Sequence, residues 1–190
     1  MAEAENQTYN IPLNTESRNK MRVFVSTDIP DNIKKEIRKI QEKIPEFKGK
    51  ITETENLHLT LKFLGWVDEK EIDKIKERLR EVKIKKFEAE IDSLGFFYPR
   101  IIWLHLTNVD SLQKAVDDSL VPLFDREERF MSHLTIARVK EVNDRKEFKN
   151  MLGRINVKNI KFEVKNFRLK KSTLTGKGPI YETLEEYSLI

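Results

Sequence analysis

Cysteine is absent from this 190-residue chain. That excludes disulfides and thiolate zinc sites, and it fits a reducing, cytoplasmic setting. No stretch approaches the roughly 18 consecutive apolar residues that a membrane helix needs. None stands near the N-terminus in the manner of a secretory signal, so no membrane partner is expected. A dominant charge is also lacking. The 36 Lys and Arg nearly match the 32 Asp and Glu, for a net charge of +4. That balance suits a phosphate ligand but does not imply a wrapped duplex. Histidine is scarce, with three in the whole chain.

What is present is enough for a folded domain. Hydrophobic residues make up 38%, too many for a disordered chain, and the length suits one domain or two small lobes sharing a core. The charged fraction of 36%, mostly Lys and Glu, points to a thermophilic source.

Residues 1–20 are polar, without an apolar period, and read as a disordered or tag-like tail. The domain is expected over 21–190. It opens with an apolar strand, Arg22-Val23-Phe24-Val25. Pro30-Asp31 then signals a helix start, with Ile33, Ile37, Ile40 and Ile44 along one stripe. A strand over Leu57–Leu64 follows, then a helix from Asp68 bearing Ile72, Ile75, Leu79 and Val82, then an alternating strand at Phe87-Ala89-Ile91. A strand at Ile101–Leu104 begins the pattern again. It continues with a helix from Asp110, a strand from His133 to Val139, a helix capped by Asn143 or Asp144, and a strand at Ile160-Phe162-Val164. Matching positions lie at nearly constant offsets: Val23 to Ile101, His58 to His133 and Ile72 to Phe148. The order β-α-β-α-β thus occurs twice, in halves of about 21–92 and 100–165. A hairpin over 167–189 closes the chain around the turn cluster Gly176-Lys177-Gly178-Pro179.

Each of the three histidines is followed by Leu-Thr: His58-Leu59-Thr60, His105-Leu106-Thr107 and His133-Leu134-Thr135. On a strand, residues i and i+2 share a face. His58 with Thr60, and His133 with Thr135, therefore each present an imidazole and a hydroxyl on one surface, with Leu59, Leu61, Leu134 and Ile136 beneath. An imidazole exchanges a proton near neutral pH, and a threonine hydroxyl can donate to a phosphate oxygen. Two such strands across a cleft would suit in-line displacement at phosphorus, one histidine as base and the other as acid. The repeat offset selects His58 and His133 as the pair. His105 falls at the end of a first strand instead and is expected at the surface or core edge. Lys62 shares the His58 face of a regular strand and is a candidate phosphate contact. Arg138 is a weaker candidate, because a regular strand turns it away.

These features resemble the two-histidine phosphoesterases, and within them the bacterial and archaeal RNA 2′,3′-cyclic phosphodiesterases, also named 2′-5′ RNA ligases. The signature, His-x-Thr/Ser-x with x apolar, reads here as His58-Leu59-Thr60-Leu61 and His133-Leu134-Thr135-Ile136. Met21-Arg22-Val23-Phe24-Val25, Leu61-Lys62-Phe63-Leu64-Gly65, Pro99-Arg100-Ile101-Ile102-Trp103 and the segment Ser172–Tyr181 are similar to its framework. The resemblance implies an α+β, bilobal fold of two pseudo-symmetric half-domains, with antiparallel sheets meeting at a central cleft and helices outside. It implies metal-independent hydrolysis of a 2′,3′-cyclic phosphate to a 2′-phosphate, no cofactor, and in some members reversible 2′-5′ ligation. The implied partners are RNA with cyclic-phosphate ends, tRNA fragments or small cyclic nucleotides, acted on by a monomer. His133 would be the base, His58 the acid, and Thr60 and Thr135 would hold the phosphate oxygens. The rival readings are a metal site, which finds no histidines at ligand spacing, and a non-enzymatic module binding nucleotides or RNA ends in the same cleft. For Phe96, Phe97 and Tyr98 core packing is expected over base stacking. Lys83-Ile84-Lys85-Lys86 and Lys170-Lys171 are expected as solvated edges.

Overall fold

The computed structural model describes residues 20–97, 100–176 and 178–190. The chain runs β1 (Met21–Asp28), α1 (Asp31–Gln41), β2 (Lys48–Ile51), β3 (His58–Val67), α2 (Glu69–Arg80), β4 (Phe87–Phe97), β5 (Ile101–Thr107), α3 (Asp110–Ser119), β6 (His133–Glu141), α4 (Arg145–Gly153), β7 (Ile160–Val164), β8 (Asn166–Thr175) and β9 (Gly178–Ser188). The proposed tail lies outside the described residues except for Lys20, as do Tyr98, Pro99 and Lys177.

The local signals act as their chemistry requires. In α1 the isoleucine stripe buries Ile33, Ile37 and Ile40. At the start of α2, Asp68 accepts from the Glu71 amide while the Glu71 carboxylate accepts from the Asp68 amide, a reciprocal cap. Asp144 caps α4 through the amides of Lys146 and Glu147. The hairpin strands run further than their patterning suggested, with Leu174 pairing to Pro179 and Thr175 to Gly178. Strand β2 was not read from the sequence at all. Its four residues are all exposed, so it carries no apolar alternation.

The strands form two sheets, β3-β1-β8-β9 and β2-β6-β5-β4-β7, and all their pairings are antiparallel. The fold is α+β. The sheets are not built from the two consecutive halves of the chain. Strand β4 leaves the first half to pair with β5 and β7, and the hairpin β8–β9 returns to β1. The orders still correspond, β3-β1-β8-β9 matching β6-β5-β4-β7 strand for strand. β3 and β6, which carry the two histidine motifs, approach one another between the sheets.

The helices cross over as well. Helix α1 packs on β6, and α3 packs on β3. At the end of α1 the buried Gln41 amide donates to the carbonyls of Ile136 and Thr52, both at 2.9 Å. In α3, Asp117 forms a buried ion pair with Lys62 of β3. Each helix thus fastens the opposite half's histidine strand three or four residues past its histidine.

Candidate active site

His58 opens β3 and His133 opens β6. Both rings line one cavity of about 570 Å³ between the sheets, together with Thr60 and Thr135. The alternation is as read: Leu59, Leu61, Leu134 and Ile136 lie in the core beneath.

The two imidazoles are held in the same way. His58 Nδ1 lies 2.7 Å from the Asn56 carbonyl, and His133 Nδ1 lies 2.8 Å from the Met131 carbonyl. A carbonyl only accepts, so each Nδ1 carries the proton and donates it. That leaves Nε2 as the nitrogen able to exchange a proton with a ligand. In both cases the anchor is the carbonyl two residues upstream.

Their surroundings differ. The His58 ring packs against Phe24 at 5.1 Å and against Tyr181 at 4.9 Å, the latter edge-on. Burial favours the neutral ring and pushes its pKa down to about 4, aided by Lys170 and Arg138 and opposed by its bond to the Asn56 carbonyl and by Asp28. His133 has the edge of Phe97 at 5.6 Å. Burial raises the Tyr181 phenol above its usual range, which keeps it a hydrogen-bond donor inside the cleft.

Both motif strands break regularity just beyond the threonine. Opposite β1, Thr60 pairs with Ser26 and Lys62 with Val25, leaving Leu61 as an extra residue. Opposite β5, Thr135 pairs with Trp103 and Ala137 with Ile102, leaving Ile136 as the extra residue. A bulge of one residue flips every side chain beyond it to the other face. This corrects the placement of Lys62. Its side chain lies beneath the sheet, paired with Asp117 and donating to the Asp125 carbonyl at 2.6 Å, and Phe63 takes the cleft position. The same shift brings Arg138, which a regular strand would turn away, into the cavity wall. The bulged Ile136 carbonyl is satisfied by Gln41 and by the Thr52 amide at 2.9 Å.

Several lining residues were not singled out from the sequence. Arg22 and Phe24 of β1 face the cavity, alternating with the buried Val23 and Val25. Phe24 is itself buried, so Val23-Phe24-Val25 reads as one apolar run and its facing was not marked in the sequence. The Arg22 guanidinium sits 4.5 Å over the Phe63 ring and donates to Ser172 Oγ at 3.2 Å. Lys50, on the unread strand β2, lines the wall beside Glu53, its ion-pair partner. Lys170 is not a solvated edge: it is buried and paired with Asp28, which also binds Arg168. Phe96 packs against Phe148, whereas Phe97 is partly exposed beside His133. His105 does not line the cavity and donates to Asp92 at 2.9 Å. Among the described residues no three His, Asp or Glu side chains gather as a metal site would require, and no helix is long and apolar enough to cross a membrane.

Known proteins resemble this chain in sequence and in fold. The family model described as LigT-like phosphoesterase matches twice in tandem, over residues 27–103 and 106–181, so that each copy contains one of the two motifs. This chain is a LigT-like phosphoesterase. The RNA 2′,3′-cyclic phosphodiesterase of Methanocaldococcus jannaschii is 41% identical over 177 residues, covering 88% of this chain and 100% of that one. The protein of the same name from Archaeoglobus fulgidus is 36% identical, covering 88% and 99%. Among solved structures, TT0787 of Thermus thermophilus superposes with a TM-score of 0.75 at 25% identity, over 89% of this chain and 98% of that one. Escherichia coli LigT complexed with 3′-AMP has the same fold, with a TM-score of 0.74 at 22% identity, over 90% and 98%. This LigT-like phosphoesterase therefore shares the fold of these solved structures.

Proposed function

We propose that this LigT-like phosphoesterase hydrolyses a 2′,3′-cyclic phosphate at an RNA end to a 2′-phosphate, with His58 and His133 as its proton-transfer pair. The observation that carries this reading is the matched anchoring of two imidazoles on one cavity, each with its Nδ1 committed to a carbonyl and its Nε2 left for chemistry. The names and coverage of the archaeal relatives support the substrate class.

In this mechanism the cyclic phosphate sits between the motifs, its non-bridging oxygens accepting from Thr60 and Thr135 and facing the Arg138 charge. His133 Nε2 takes a proton from water as the water oxygen attacks phosphorus. The bond from phosphorus to O3′ breaks, and His58 gives its proton to O3′. The bound phosphate carries the negative charge that favours the His58 imidazolium, offsetting the burial that keeps the ring neutral beforehand. The two rings supply both proton transfers, so the step requires no metal ion. A 5′-hydroxyl in place of water would form a 2′-5′ linkage by the same path, and its reversal would swap the two roles. Both motifs lie in one chain, so a monomer is sufficient. The expected substrates are RNA ends in the cytoplasm, tRNA fragments among them, with small cyclic nucleotides as minimal versions.

The test is turnover of a 2′,3′-cyclic-phosphate-ended oligonucleotide in EDTA. Activity should persist there and fall about 100- to 10,000-fold in His58→Ala and in His133→Ala. Tight product binding without turnover would favour a binding module instead. Activity lost in EDTA and restored by a divalent ion would favour metal catalysis.

A further inference from the structure

The third His-Leu-Thr lies outside the cavity but adjoins it. His105 is the strand partner of His133 across β5 and β6, and directly paired residues show their side chains on the same face. The next pairs outward are Ser93 with His105 and Gly95 with Trp103, while Trp103 also pairs with Thr135. The cleft-side face of the second sheet therefore continues from the motif strand across β5 to β4.

That strip has a constructed surface. A Cβ on Gly95 would lie 2.1 to 2.5 Å from three atoms of the Trp103 indole, so glycine is what lets the indole lie down on the neighbouring strand. Phe97 stacks on the indole with ring centroids 4.9 Å apart and planes at 30°. Phe97 is 37% exposed and meets His133 with its edge. Alongside, Asp92 Oδ1 accepts from His105 Nδ1 at 2.9 Å and from Ser93 Oγ at 2.8 Å. The His105 side chain is 37% exposed, and Nε2 lies on the ring's far side from Asp92.

We propose that this strip binds the nucleoside on the 5′ side of the one that bears the cyclic phosphate, its base stacked on Phe97 and Trp103 and its polar edge or ribose hydroxyl against His105 and Asp92. The proposal rests on the reading of the cavity as the cyclic-phosphate site. An RNA held there by its 3′ end must continue toward its 5′ side, and the strip begins one strand away, about 4.8 Å from the motif strand. A sheet surface with aromatic faces is a general means of holding unpaired bases, because every base has a π-face. Asp92 repels a phosphate, so the strip suits the nucleoside portion of the chain and leaves the linking phosphate to the cationic cavity. The carboxylate also fixes the His105 ring, making it an oriented hydrogen-bonding group.

The test compares kcat/KM for a cyclic mononucleotide with kcat/KM for a dinucleotide ending in the same cyclic phosphate. One stacked base contributes about 1–3 kcal/mol, so the parent protein should prefer the dinucleotide by roughly 5- to 150-fold. In Trp103→Leu and in His105→Ala that preference should shrink toward unity through the dinucleotide's KM. Equal use of both substrates by the parent, or an undiminished preference in both variants, would overturn the proposal. A second measurement is independent of turnover: in a Trp66→Phe background, the remaining Trp103 fluorescence should be quenched by a dinucleotide ending in a 2′-phosphate, more strongly than by the mononucleotide. If no cyclic phosphate is hydrolysed, the reading of the cavity fails. The strip is then judged by quenching alone: dinucleotide-selective quenching supports it, and its absence refutes it.

Discussion

Replacing Lys62 by methionine separates a structural role from a phosphate contact. The Lys62 and Asp117 side chains are 6% and 7% exposed. The ammonium holds the Asp117 carboxylate and the Asp125 carbonyl, while the other carboxylate oxygen accepts from the Glu127 amide at 3.0 Å. Methionine fills most of the same volume but leaves Asp117 charged, buried and supported by one amide. Breaking one side of a buried pair costs about 3–5 kcal/mol. At roughly 2–4 °C per kcal/mol for a domain of this size, Tm should fall by roughly 6–20 °C. Removing Asp117 as well, as in Lys62→Met with Asp117→Leu, eliminates the stranded charge and should recover part of that loss. Urea and thermal unfolding of the parent, both single variants and the double variant would complete the cycle. Below its unfolding temperature, Lys62→Met should keep KM for a cyclic phosphate within about twofold, since its charge points away from the cavity. A variant of unchanged stability whose KM rises tenfold or more would refute the argument and restore Lys62 as a ligand.

Other outcomes follow from the same geometry. The His58 imidazole should titrate near pH 4 in the ligand-free protein, and the midpoint should rise when inorganic phosphate or a 2′-phosphate product binds, as read from its NMR ring signals; an unmoved midpoint would remove the phosphate from the ring's vicinity. Because folding lowers this pKa, unfolding takes up a proton between pH 4 and about 6.5. The His58 contribution to stability should therefore diminish as pH falls through that window, and His58→Gln should flatten that part of the profile. Gln41→Leu strands the Thr52 carbonyl and loosens the bulged Ile136 carbonyl, at an expected cost of about 1–3 kcal/mol in urea unfolding. Arg138→Ala removes a charge-stabilising donor from the cavity and should lower kcat by roughly 100- to 1,000-fold with little change in stability, measured on a cyclic mononucleotide.

Alternation was enough to identify the motif strands, their faces and the helices between them, because burial on one face of a strand or helix is recorded in its own residues. The repeat offset was enough to distinguish His133 from His105, which is followed by the same two residues. What escaped the sequence depends on partners. A bulge is a mismatch between two strands, so nothing in Leu61-Lys62 or Ile136-Ala137 alone shows that the face changes there; Lys62 and Phe63 exchanged sides for that reason, and Arg138 entered the wall. The exposed β2 had no pattern to read. The departure of β4 to the second sheet was hidden as well, since a strand's own residues do not name its neighbour.

The reciprocal fastening by α1 and α3 bears on how the molecule can be divided. A fragment covering residues 21–92 would retain His58 but lack Asp117, which neutralises Lys62 beneath it, and the β8 that completes its sheet. The complementary piece would retain His133 while its Ile136 carbonyl lost Gln41. Neither portion can preassemble its own histidine strand, so cutting the chain between them should yield two inert pieces that regain activity when mixed.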